Sequence, residues 1–157
     1  MNTMSTSTTL LSKKGMKELK KAISRLEHRR DAVIKQLREA EKGETHDQRL
    51  ERTERLAQLE IIESELADKR EILRTAKLFP RKRDALKVAL GSVVDLIDIT
   101  GQQVRYTLVD SIEANPSDGR ISIHSPLGQN LVGRTIKETV EWGNGFRTRQ
   151  LQLVRIS

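Results

Sequence analysis

Two carboxylates three residues apart, Glu44 and Asp47, stand in the run Gly43-Glu44-Thr45-His46-Asp47-Gln48, which interrupts two long helical segments. On a helical turn that spacing places the side chains side by side, with Cβ atoms about 5–6 Å apart. Their repulsion in bulk water is only about 0.7 kcal/mol, so an exposed turn tolerates them. At the tip of a hairpin such a pair can carry charge into another molecule's cavity. Ordinary turn chemistry is the competing explanation, because Asp favours helix starts, where it caps amides and complements the helix dipole. His46 lies between the acids and completes a Glu-His-Asp set, but an exposed cluster of three adjacent residues is a weak metal site, and His46 reads as a bystander. Arg49, Arg52 and Arg55 follow at every third position. They describe a slowly rotating basic strip able to meet RNA phosphates, or else a solvated face offset by Glu51 and Glu54. His28 and His124 have no readable partner.

The elements that must position these residues are helical. Met16, Leu19, Ile23, Leu26, Arg30, Val33, Leu37 and Ala40 follow a 3-4 spacing over residues 12–42, the apolar stripe of a coiled coil with one charged intrusion. Ser12 is the expected N-cap and Gly43 the expected stop. A second stripe, Leu59, Ile62, Leu66, Lys69, Leu73 and Ala76, ends before Pro80, with Leu56 out of register in the manner of a stutter. Neither single-striped helix stays folded alone, and the short break between them predicts antiparallel pairing within the chain. About thirty residues at ~1.5 Å each make an arm roughly 45 Å long. A coiled coil that merely dimerises, or serves as an interaction scaffold, is the competing architecture.

After the basic linker Pro80-Arg81-Lys82-Arg83 the periodicity changes to two. Ser92–Ile99 and Gln103–Asp110 read as strands around Thr100-Gly101-Gln102, and Asn115-Pro116-Ser117-Asp118-Gly119 as a turn before the strand Arg120–His124. Ser125-Pro126 starts a short helix through Leu131 that ends at Gly133. Val140–Trp142 and Phe146–Ile156 form a last hairpin. The fold class is therefore α+β, a long antiparallel helical hairpin followed by a small, mostly antiparallel β domain with one short helix. The expected boundaries are a disordered arm at 1–10, a hairpin at 11–79 with its acidic tip near 43–48, a linker at 80–86 and a second domain at 87–157.

Composition narrows the function. With 36% hydrophobic, 32% charged and only 3% aromatic residues, part of this 157-residue chain must be an extended, charge-coated element. The absence of cysteine excludes a disulfide framework, a thiol nucleophile and cysteine-ligated zinc. A net charge of +7 favours a polyanionic partner, nucleic acid or a complex that handles it. No apolar run reaches membrane-spanning length and the polar start lacks a signal-peptide core, so a soluble cytoplasmic protein is expected.

The second half carries a more specific pattern. Ile121-Ser122-Ile123-His124-Ser125-Pro126-Leu127-Gly128, continuing to Leu131-Val132-Gly133-Arg134, resembles the Ser-Pro-apolar-small signature of the bacterial Gre family of transcript cleavage factors. Leu11-Ser12-Lys13-Lys14-Gly15 with Leu19 resembles that family's opening of the first helix. The tip matches in Gly43 and in spacing, but the acids are exchanged (Glu44 for Asp, Asp47 for Glu), Gln48 replaces Asn, and Glu51 stands where an aromatic is usual.

The resemblance implies a DNA-binding elongation factor that is not itself an enzyme. It implies that the tip enters the secondary channel of bacterial RNA polymerase and that Glu44 and Asp47 help hold a second Mg2+ there. Two metals about 3.5–4 Å apart activate a water and stabilise both oxygens of an in-line displacement, here cleavage of a backtracked RNA 3′ segment. The ion would be shared with the polymerase, and the factor would act as a monomer. The resemblance also implies that the Ser125-Pro126-Leu127 segment of an FKBP-like domain docks on the channel rim. Prolyl isomerase activity is disfavoured, since Tyr106, Trp142, Phe146 and Phe79 are too few to line its pocket. The exchanged acids leave open a channel-binding inhibitor or regulator without cleavage activity.

Overall fold

The computed structural model describes residues 8–40, 45–80, 85–143 and 147–157. The expectations for residues 1–7, for Gly43 and Glu44, for most of the basic linker and for the Asn144-Gly145 turn lie outside the described residues. The chain forms two compact units, one of residues 13–76 and the other of residues 10–12 with 77–157.

The first unit is a helical hairpin of α1 (Lys13–Ala40) and α2 (His46–Thr75). The stripe of α1 turns inward as its spacing dictates, burying Leu19, Ile23, Leu26, Val33 and Leu37. On α2 the buried residues are Ile62 and Leu66. An ion pair crosses between the helices from Arg70 to Glu27 at 2.8 Å. The expected stutter at Leu56 does not occur. The heptad spacing continues back from Leu59 through Arg55 to Arg52, both half-buried, and Leu56 lies off the seam at 46% exposure.

Helix α2 also stops sooner than Pro80 requires. Ala76 is already extended (φ −69°, ψ 140°), because Lys77–Leu78 forms a strand, β2, parallel to β1 (Leu10–Leu11). The Phe79 N–H donates to the Leu11 carbonyl at 3.1 Å, and Leu11 is fully buried. Pairing, rather than proline, ends the helix.

The rest of the second unit is a five-stranded sheet in the order β5-β4-β3-β7-β6. Its strands are β3 (Val93–Asp98), β4 (Gln103–Val109), β5 (Arg120–Ser122), β6 (Thr139–Trp142) and β7 (Arg149–Ile156). All neighbours are antiparallel except β4 and β5, where Leu108 faces Ile121 in parallel register. The connection between those two is made by 3₁₀ turns at Ser111–Glu113 and Pro116–Asp118. Alternation sends Val94, Leu96, Leu108, Leu151 and Leu153 to one face, where Leu127 and Leu131 of α3 (Pro126–Leu131) join them in the core. The strand expected over Arg120–His124 ends at Ser122, because Ser122 begins the turn into α3.

Candidate functional site

The tip is built by a capping box. Thr45 is extended (φ −76°, ψ 156°) and its Oγ1 accepts from the Gln48 N–H at 3.3 Å. The Gln48 Oε1 in turn accepts from the Thr45 N–H at 3.0 Å. Two donors at the start of α2, which have no partner within the helix, are thereby satisfied reciprocally. The substitution of Gln at this position thus has a local purpose. Asp47 falls one residue before Gln48 in the first turn, exposed, where the helix dipole favours a carboxylate. His46 opens the helix and is exposed. Glu44 lies outside the described residues, so its distance from Asp47 is not part of this geometry. Among the described residues no group of three or more His, Cys, Asp or Glu is arranged to hold a metal.

The three arginines separate. Arg49 is exposed, and its N–H donates to the Thr45 carbonyl at 3.1 Å. Arg52 reaches across the hairpin to the Leu37 carbonyl at 3.4 Å. Arg55 pairs with Glu51 one turn earlier on its own helix.

In the second unit, Ser125, Pro126 and Leu127 line a groove of about 730 Å³ with Tyr106, Ile121 and Trp142 on its walls. The three have different duties. The Ser125 hydroxyl donates to the Ser122 carbonyl at 2.6 Å and accepts from the Gly128 N–H at 3.1 Å, which caps α3. Leu127 is a core residue, 5% exposed. Pro126 is exposed, and so is Trp142. The small residue of the signature has a steric cause, because a Cβ on Gly128 would lie 2.0 Å from the Ser122 carbonyl oxygen. Of the four aromatics, Tyr106 and Trp142 share the groove, whereas Phe79 packs against Gly91. Phe146 lies outside the described residues.

Sequence reasoning missed a buried charge cluster in this unit. The Glu113 carboxylate accepts from the Ser12 N–H at 2.8 Å and the Ser12 hydroxyl at 2.6 Å, and faces Arg120 at 3.7 Å. Arg120 also donates to Asp118 at 3.0 Å. Ser12 stands directly before α1, at the expected cap position, and donates from both its N–H and its hydroxyl to Glu113. On the sheet, the Arg105 guanidinium bonded to Asp95 holds that carboxyl below the usual carboxylate range. Asp98 is lowered likewise by the Thr100 hydroxyl and then by the Gln102 N–H. No helix among the described residues is long and apolar enough to cross a membrane.

A family profile described as "Transcription elongation factor, GreA/GreB, C-term" matches residues 83–157. The chain is 33% identical over 132 residues to the transcription elongation factor GreA of Mycoplasma pneumoniae, covering 82% of each protein. It is 34% identical over 131 residues to GreA of Mycoplasma genitalium, covering 80% of this chain and 81% of that one. Among solved structures, the GreA factor homolog 1 protein of Thermus thermophilus is 23% identical, with a TM-score of 0.43 over 95% of this chain and 98% of that one. A score that low leaves the choice of activity untouched. The extent and identity of the GreA matches decide the assignment: the chain belongs to the GreA/GreB family of transcription elongation factors.

Proposed function

We propose that this protein binds bacterial RNA polymerase, presents its hairpin tip within the secondary channel, and stimulates the polymerase's own cleavage of backtracked RNA. The observation that carries the reading is the capping box at Thr45 and Gln48, which sets Asp47 in a fixed first turn at the closed end of the hairpin. A helix start held on both sides presents its carboxylate in one place, and placement within about 1 Å is worth on the order of a hundredfold in rate. Asp47 and Glu44 would hold the shared Mg2+, and a bound ion there would polarise the attacking water and steady the developing charge on phosphoryl oxygens. Docking falls to the groove at Ser125-Pro126-Leu127, where Pro126 and Trp142 are the exposed apolar contacts. The protein is then a donor of ligands to another enzyme's site, cytoplasmic and monomeric.

The exchange of Asp and Glu at the tip favours a second reading, a channel-binding regulator that does not promote cleavage, since each carboxylate is displaced by one methylene. Backtracked elongation complexes with end-labelled RNA separate the two. Mg2+-dependent shortening of the RNA, lost in Asp47→Ala and in Glu44→Ala, is the expected result. Unchanged cleavage in both variants rules out the assigned roles, and slowed elongation without cleavage establishes the regulator.

A further inference from the structure

The seam of the hairpin changes character toward its tip. On α1 it stays buried out to Leu37, whereas α2 has no buried residue before Ile62. The α2 seam positions nearest the tip are Arg52 and Arg55, so the last turns of α1 meet a stretch that offers them no buried apolar side chain. Arg55 is engaged with Glu51. Arg52 Nη1 donates across the seam to the Leu37 carbonyl. Leu37 is the last buried residue of α1, so this bond ties α2 to the backbone of α1 on the tip side of the seam.

We infer that Arg52 is a positioning residue, which ties α2 to the backbone of α1 at Leu37, where the α2 seam has no buried apolar side chain. A slip of one helical turn, about 5.4 Å, breaks the guanidinium-to-carbonyl bond. The clamp therefore fixes where the Thr45-capped start of α2 holds Asp47. Its effect on cleavage rests on the function proposed above; the clamp itself does not. The basic strip is thereby divided, with Arg52 serving the hairpin and Arg49 standing on the exposed face.

Amide hydrogen exchange of the free, full-length protein reads the clamp directly. In Arg52→Gln, amides of residues 46–52 exchange about tenfold faster, while those around Ile62 and Leu66 keep their protection. Arg52→Leu, which supplies an apolar seam residue, restores the protection. In cleavage assays Arg52→Gln lowers the maximal rate about tenfold at an unchanged half-saturating concentration, and Arg52→Leu recovers it. Unchanged exchange in Arg52→Gln overturns the inference. So does an Arg52→Leu variant that regains protection without regaining cleavage, because Arg52 is then a contact to RNA. If the wild-type chain stimulates no cleavage, the functional reading fails while the exchange rates still decide the clamp.

Discussion

The Glu113 carboxylate holds Ser12 by two donors at once, the backbone N–H at 2.8 Å and the hydroxyl at 2.6 Å, across 101 positions of sequence. Glu113 is 5% exposed and Arg120 8%, so removing the carboxylate leaves a buried guanidinium that keeps its bond to Asp118. Glu113→Ala is expected to cost about 2–3 kcal/mol, and Ser12→Ala about 1 kcal/mol, in urea unfolding followed by the Trp142 fluorescence. Equal stability of Glu113→Ala and wild type would show that the cluster contributes nothing net.

Gly128→Ala tests why the Ser-Pro segment ends in a small residue. The added Cβ meets the Ser122 backbone at 2.0 Å, so either α3 or the end of β5 must move. A loss of about 2–3 kcal/mol is expected, with disturbed amide shifts at Ser122 and Leu131. Wild-type shifts would mean that α3 rides outward at no cost.

Trp142 and Leu127 line one groove, yet their truncations should separate binding from folding. Trp142→Ala should weaken polymerase binding about tenfold at an unchanged Tm, since the side chain is 40% exposed. Leu127→Ala should lose about 2–4 kcal/mol of stability through its core cavity. Intact binding by Trp142→Ala would move the docking surface elsewhere.

The sheet also carries an acid limb. The carboxyls of Asp95 and Asp98 are both depressed in the folded state, by the Arg105 bond and by the Thr100 hydroxyl respectively. A depressed carboxyl stabilises fully above its unfolded value, near 3.9, and loses that contribution as the pH falls through the folded value. The urea midpoint should therefore decline as the pH falls below about 5, and decline less in the Asp95→Asn, Asp98→Asn double variant. Parallel curves would assign the limb to other carboxylates.

The long stripes made the hairpin legible, because burial of one helical face leaves a period that survives any side-chain detail. The strands around Gly101 and the capped start of α3 were legible for the same kind of reason. What stayed hidden has no period. Two-residue strands at Leu10–Leu11 and Lys77–Leu78 carry no alternation, so Pro80 drew the expected helix end past Thr75. Arg52 and Arg55 sit at seam positions but carry charge, and in the sequence they read as an outward strip. Glu113 gave no signal, since its partner Ser12 lies 101 positions away in the chain. At the tip, the pair Thr45 and Gln48 fits the capping-box spacing, which a search for acids passes over.

The parallel pairing of β1 with β2 has a consequence for synthesis. Leu11, fully buried, belongs to a unit whose remaining residues begin only at Lys77, so that unit cannot be completed by any contiguous stretch of emerging chain. A nascent N-terminus must wait, and contacts between distant segments form slowly unless something shortens the loop between them. The helical hairpin does so. Its contacts are local, and zipping α1 against α2 returns the chain to where it began before the sheet strands are made. The hairpin is thus also the folding guide of the unit that follows it.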